Sequence, residues 1–371
     1  MSNTIVFDIG SCTARVGNAL DDRPLFKFPT IVGHNEKDSD EIYIGNDILT
    51  RRANTENQID IKWNCPIKNG FIENMDEMAQ LYDYSFQKLN KNPEEHPVLL
   101  TEPVLNEKAN REHIAQCMFE TFNTPGLYIQ MPGVLGMYAS GSVNGITVDI
   151  GNEIQEIVPV YEGFPLREGI NRVNFGGSRI TDYFRRLCSE KGYYWKEQLE
   201  ELEEVKQIKE KMCYVAENYK DELMKPTYSI NTEKTYELPD GKRITLENQT
   251  FRATEILFDP KMDNIDEDGV VERLVSSIFK CPIDLRRNLY KNVVLTGGSS
   301  KFEGLKNRIH SEMKQMIPPT VESKVYRGDD AEIDVWIGGS ILGSLDSFKK
   351  VVLNKETYEE NGPSIVHRRF L

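Results

Sequence analysis

The sequence predicts a mixed α/β fold built from two related halves, on three observations. A hydrophobic strand ending in Asp-Ile-Gly occurs twice, as Ile5-Val6-Phe7-Asp8-Ile9-Gly10 and as Thr147-Val148-Asp149-Ile150-Gly151. Each is followed at once by a second apolar stretch, 14–17 and 154–161, so each reads as a hairpin with a tight turn. Strand-like and helix-like segments then alternate along the chain, which is the pattern of mixed sheets covered by helices.

The strand candidates in order are 4–7, 14–17, 98–101, 145–149, 154–161 and 292–295. Their short β-branched and apolar runs end in turn residues. Helical spacing is expected over 76–89, 108–122, 178–191 and 301–316. The strongest helical pattern is 196–219, where Leu199, Leu202, Val205, Ile208 and Met212 recur on one face of a charged segment. Its acidic side chains read as a solvated face. Tyr236-Glu237-Leu238-Pro239-Asp240-Gly241-Lys242 reads as a hairpin turn, because Pro presets φ and Asp-Gly permits the reversal. Segments 34–41 and 261–269, charged and poor in apolar residues, read as exposed loops.

The two Asp-Ile-Gly turns carry chemistry. Glycine removes the side chain where a phosphate would approach backbone N–H groups. Asp8 and Asp149 add carboxylates suited to a hydrated divalent metal. A third glycine turn, Leu295-Thr296-Gly297-Gly298-Ser299-Ser300, completes a set suited to a nucleotide.

Composition excludes several classes. The 371-residue chain is long enough for two cores. It has no uninterrupted 18-residue apolar run, so no transmembrane helix is expected, and no secretory leader pattern opens it. Its six cysteines are scattered without paired or zinc-like spacing and read as reduced thiols. A net charge of −14 argues against general nucleic-acid binding.

Longer stretches then point to a family. Phe28-Pro29-Thr30-Ile31-Val32-Gly33, Pro93-Glu94-Glu95-His96-Pro97-Val98-Leu99-Leu100-Thr101-Glu102 and Lys108-Ala109-Asn110-Arg111-Glu112 are three of them. Met118-Phe119-Glu120-Thr121-Phe122-Asn123-Thr124-Pro125, Tyr138-Ala139-Ser140-Gly141, Trp336-Ile337-Gly338-Gly339-Ser340-Ile341-Leu342 and Gly362-Pro363-Ser364-Ile365-Val366-His367-Arg368 are the others. On these the chain resembles actin and the actin-related proteins along essentially its whole length. The resemblance implies an actin-like ATPase fold, with two duplicated mixed-sheet domains, four subdomains in all, around ATP or ADP and Mg2+ or Ca2+. It implies subdomain 1 at 1–29, 66–139 and 334–371, subdomain 2 at 30–65, subdomain 3 at 140–175 and 266–333, and subdomain 4 at 176–265.

Carried over position by position, the resemblance places Asp8, Gly10, Ser11, Cys12 and Arg15 at the first phosphate turn. Arg15 stands for a lysine, and Cys12 for a glycine. Asp149, Gly151 and Asn152 form the second turn, with Asn152 in place of an Asp and Glu153 in place of a Gly. Asp8 and Asp149 would serve the metal through water. Glu153 either faces the triphosphate or turns to solvent. Lys209, Glu210, Gly297, Gly298, Lys301, Phe302 and Glu332 fall on the adenosine side, where a Lys301–Glu332 ion pair is expected.

The family's water-orienting Gln position holds Pro132. Proline has neither a side-chain donor nor an N–H, and positioning supplies most phosphoryl-transfer catalysis. Gln130 would replace the lost amide only with a shift of backbone register. At most a weak ATPase is expected.

Assembly surfaces diverge as well. Segment 34–41 lacks a hydrophobic tip, segment 48–63 is longer than usual, and Asn69 replaces the family's modified His. Segment 261–269 presents four acidic side chains where a mostly apolar plug is usual. Tyr138, Gly141, Leu342, Leu345, Ser347 and Val351 keep the character of the family's partner groove, which takes amphipathic helices of actin-binding proteins. The functional expectation is an ATP-binding structural protein of the cytoplasm and cytoskeleton, or of the nucleus. It would dock to a multiprotein complex or to conventional actin filaments. The alternatives are a polymerising actin with slow hydrolysis and, on the same superfold, an active phosphotransferase. No membrane span and no direct nucleic-acid contact are expected.

Overall fold

The structure, a computed structural model, describes residues 4–35, 38–53, 61–225, 234–239 and 241–370. The chain divides into two compact units: residues 1–147, 160–165 and 333–371, and residues 148–159 and 166–332.

The first unit is organised by a six-stranded sheet in the order Leu353–Asn354, Gly126–Gln130, Val98–Thr101, Ile5–Ile9, Thr13–Asn18, Phe26–Pro29. Ile5–Ile9 runs parallel to Val98–Thr101 and antiparallel to Thr13–Asn18. Alternation puts successive residues on opposite faces. Ile5, Phe7, Val98 and Leu100 join a core with Met78, Leu81, Tyr82 and Phe86 of the helix Met75–Leu89. Val6 and Leu99 face the other way, onto Leu135, Val335 and Trp336. Trp336 donates its indole N–H to the Val6 carbonyl at 3.1 Å. The helices Pro132–Ala139 and Asp334–Ser344 cross closely there, because a Cβ on Gly338 would lie 1.8 Å from the Leu135 carbonyl oxygen.

The second unit is built on a sheet in which Gly145–Ile150 lies between Gln155–Tyr161 and Val293–Thr296, with Val325–Arg327 beyond. Helices Gly177–Ser189, Leu199–Met212, Val270–Lys280 and Leu305–Met316 belong to it. The duplication extends to turn geometry: Gly10 N–H donates to the Thr13 carbonyl at 3.1 Å, and Gly151 N–H donates to the Ile154 carbonyl at 2.9 Å.

Several expectations change. Segment 34–41 is not a loop. Val32–Asn35 pairs antiparallel with Asp38–Ile44 and with Ile61–Asn64, so the charged stretch is a hairpin whose backbone is hydrogen-bonded. Residues 36 and 37 lie outside the described residues, as do 54–60 of the longer segment that follows. Segment 261–269 is not wholly exposed: Asp263 is buried and paired with Arg179 and Arg186. Three acidic side chains, Asp266, Glu267 and Asp268, remain exposed there. The helix expected over 196–219 spans Leu199–Met212, and Asn218 then caps a separate short helix, Tyr219–Met224. The helix expected over 108–122 is α-helical over Lys108–Gln116 and widens to a π turn over Cys117–Thr121. The hairpin turn near Gly241 is present, with Gly241 at φ +81 and Leu238 N–H donating to the Lys242 carbonyl; Asp240 lies outside the described residues.

Candidate functional site

In the first unit, Asp8 is the last residue but one of the strand Ile5–Ile9 and is buried. Its Oδ1 accepts from Thr101 Oγ1 at 3.2 Å and its Oδ2 from Arg15 Nη1 at 3.1 Å. Antiparallel register sets Asp8 directly opposite Arg15, so the ion pair is a cross-strand neighbour contact. Gly10 is exposed, and a Cβ added to it would meet nothing closer than 3.8 Å. Ser11 and Cys12 are half-buried. The turn is held from below: Thr30 N–H donates to the Cys12 carbonyl, and the Cys65 thiol donates to the Ser11 carbonyl at 3.1 Å.

Pro132 is the first residue of the helix Pro132–Ala139, where its missing N–H costs nothing and its fixed φ suits the helix start. Gln130 does not stand in for the missing amide. Its Oε1 accepts from Met131 N–H at 2.9 Å and its Nε2 donates to Tyr128 Oη at 3.3 Å. Burial pushes the Tyr128 phenol up to about 12, so it stays protonated.

In the second unit, Asp149 Oδ2 accepts from Thr296 Oγ1 at 2.7 Å. The turn after it is welded to two other segments. The Gly151 carbonyl accepts from Gly177 N–H at 3.0 Å and from Ser299 Oγ at 3.1 Å. The Asn152 carbonyl accepts from both the N–H and the hydroxyl of Ser178, at 2.7 and 2.9 Å. Glycines are required at this junction. A Cβ on Gly176 would fall 2.6 Å from the Gly151 oxygen, and one on Gly297, which has φ +86, 2.5 Å from the Ile150 oxygen. A Cβ on Gly298 would meet nothing within 4 Å, which leaves room on that side of the turn. Glu153 is half-buried rather than turned fully outward.

Lys209 is 3% exposed, with its ammonium 2.9 Å from both the Gly177 carbonyl and Thr181 Oγ1. Glu210, next in the helix, is exposed. Phe302 is buried, and Lys301 lies 3.5 Å from Glu332, as expected. Arg327 adds a contact that the sequence did not suggest: its guanidinium donates to the carbonyls of Ser300, Lys301 and Phe302, each at 3.3 Å. Thr101 and Ser178 were missed as well, while Thr296 and Ser299 were read only as members of the third glycine turn. The Gly176-Gly177-Ser178 run at a helix start could have pointed to Ser178.

The donor set fits a phosphorylated ligand with a hard cation. Carboxylates and hydroxyls are hard oxygen chemistry, and Arg15 keeps a buried Nε–H without a partner, while the Gly10 and Gly151 N–H groups are spent within their own turns. Among the described residues no cluster of three His, Cys, Asp or Glu forms a ready-made metal cage.

The expected groove residues lie in the first unit. Tyr138 donates to the Gly163 carbonyl at 3.1 Å, and Gly141 is exposed at φ +74. Leu342 is half-buried, Ser347 is exposed, and Leu345 and Val351 are 48% and 42% exposed, so they form open apolar surface rather than core.

The family model described as Actin matches residues 1–371, the whole length. The chain belongs to the actin family. An actin-like fold accounts for the duplicated Asp-Ile-Gly hairpins and for the return of 333–371 to the first unit. No described helix of this actin-family chain is long and apolar enough to cross a membrane.

Proposed function

We propose that this actin-family chain binds ATP or ADP with Mg2+ or Ca2+, hydrolyses it weakly at most, and acts as a structural protein that docks to partners. The turn residues Asp8, Gly10, Ser11, Cys12 and Arg15, with Asp149, Gly151 and Asn152, would receive the phosphates and the hydrated metal. Lys209, Glu210, Gly297, Gly298, Lys301, Phe302 and Glu332 would hold the adenosine. The metal, when bound, supplies charge neutralisation for the phosphates. The chain's own residues would do the rest: the N–H groups of Ser11, Cys12 and Asn152 would orient phosphate oxygens, those of Gly10 and Gly151 being used to close their own hairpins, and Asp8 and Asp149 would hold the metal through water.

The observation that carries this reading is Pro132 at the start of its helix, with Gln130, two positions earlier in the chain, already committed to Tyr128 and Met131. Without a side chain to orient water, the bound triphosphate persists. Nucleotide content after purification, followed by single-turnover phosphate release, tests it.

Docking would use the surface at Tyr138, Gly141, Leu342, Leu345, Ser347 and Val351, toward actin-binding proteins, complex subunits or conventional actin. Exposed Leu345 and Val351 equally favour a second reading, a polymerising actin with slow hydrolysis. Sedimentation in Mg-ATP and salt, alone and with conventional actin, separates the two. Subdomain limits as set out from the sequence, and a cytoplasmic, cytoskeletal or nuclear location, belong to the same proposal.

A further inference from the structure

We propose that Cys12 and Cys65 are a redox pair, which a low-molecular-weight disulfide converts into a bond across the first turn, lowering the affinity of that turn for nucleotide. The bond stands on the geometry of the two cysteines. Its effect rests on the nucleotide-binding reading above.

The six cysteines divide by setting. Cys117, Cys188, Cys213 and Cys281 are buried, and burial pushes each thiol up, away from the reactive thiolate. Cys12 and Cys65 are only half-buried, and both belong to the first unit. Far apart in sequence, they meet in the fold. The Cys65 sulfur lies 3.1 Å from the carbonyl oxygen of Ser11, on the peptide that leads into Cys12. That oxygen and the Cys12 Cα share one rigid peptide plane, so the sulfur is within about 6 Å of that Cα. The Cys12 side chain is left to close the gap, in a bond that spans Cα separations of about 4.4–6.8 Å.

The exchange is balanced. Cys12 gives up its thiol proton and its sulfur attacks the small disulfide, expelling one thiolate. Cys65 gives up its proton and attacks the Cys12 sulfur, expelling the second. The protein loses two electrons and two protons, and the reagent leaves as two thiols. The cost falls on the turn. The one proton of the Cys65 thiol serves the carbonyls of Ser11 and Ile67, each 3.1 Å away. Oxidation removes it, so the Ser11–Cys12 peptide loses its donor from below and faces a bare sulfur. The N–H of that peptide is one of those that would orient phosphate.

The experiment treats the full chain with oxidised glutathione, blocks the remaining thiols by alkylation, and maps the cross-links by peptide mass spectrometry. ATP affinity is measured before oxidation, after it, and after reduction. A Cys12–Cys65 cross-link, with affinity lowered at least about tenfold and restored by reductant, is the expected result. Cys65→Ser should form no cross-link and should keep glutathione on Cys12. If that variant does not fold, the map of the wild type decides alone. Wild-type protein that holds glutathione on either cysteine without the cross-link, or stays unoxidised, overturns the pair. A cross-link that leaves affinity unchanged overturns its control of the turn and leaves the nucleotide reading standing. Reduced protein that binds no ATP overturns the nucleotide reading and the control built on it.

Discussion

Lys209 anchors Gly177: the buried ammonium sits 2.9 Å from that carbonyl, inside the first turn of the helix Gly177–Ser189. Gly177 N–H in turn holds the Gly151 carbonyl, so one cation, a helix start and a glycine turn form a single chain of contacts. A cation beside a helix N-terminus works against the helix dipole, and the two positive ends together favour an anion.

Lys209→Met should therefore lower both stability and nucleotide affinity. Hydrogen bonds to a charged group are worth about 1.5–3 kcal/mol, so a loss of that order is expected in chemical denaturation. Affinity should fall about tenfold. A variant that keeps wild-type affinity would show that the ammonium serves packing alone.

Gly338→Ala should be strongly destabilising. Its methyl would be driven onto the Leu135 backbone rather than onto a flexible side chain. Overpacking of this kind costs about 3 kcal/mol. Gly298→Ala, with open space around it, should stay within about 0.5 kcal/mol of wild type in the same assay.

Glu255 gives a pH dependence. Burial pushes its carboxyl from 4.5 up to about 7, against the pull of the Arg308 guanidinium 3.0 Å away. Across that window the folded chain keeps a proton that the unfolded chain has released, so this group's contribution to stability falls as pH rises. Glu255→Gln should match wild type near pH 5 and gain on it toward pH 8, read from denaturation midpoints. A variant that weakens as pH rises would mean that Arg308 keeps the carboxylate ionised.

The Lys301–Glu332 pair should matter little to stability. Its side chains are 44% and 28% exposed, and exposed pairs contribute about 0–1 kcal/mol. A double-mutant cycle should return a coupling in that range. Nucleotide dissociation, followed in the same variants, should quicken if the pair closes the adenosine side.

Much of this was legible in the sequence because the relevant signals are local. The Asp-Ile-Gly hairpins, the strand Val98–Thr101 and the helix Met75–Leu89 follow from periodicity and turn chemistry over a few residues. Errors arose where distant partners decide. The charges of 34–41 hide a hairpin because backbone pairing does not need apolar side chains. Asp263 looks like a surface acid until Arg179 and Arg186 arrive from a helix some eighty positions earlier in the chain. Lys209 reads as a ligand contact in a linear motif. Only the fold shows it bound to Gly177 and Thr181.

Pro132 is the position on which the account of hydrolysis turns, and its place at the helix start makes substitution tolerable. Pro132→Gln should keep the fold and raise phosphate release.

Single-turnover phosphate release from the wild type, loaded with one equivalent of ATP, is the most direct test. Retained ATP with release slower than that of conventional actin by at least about tenfold is the predicted result. Release at the conventional rate from wild-type protein would contradict it.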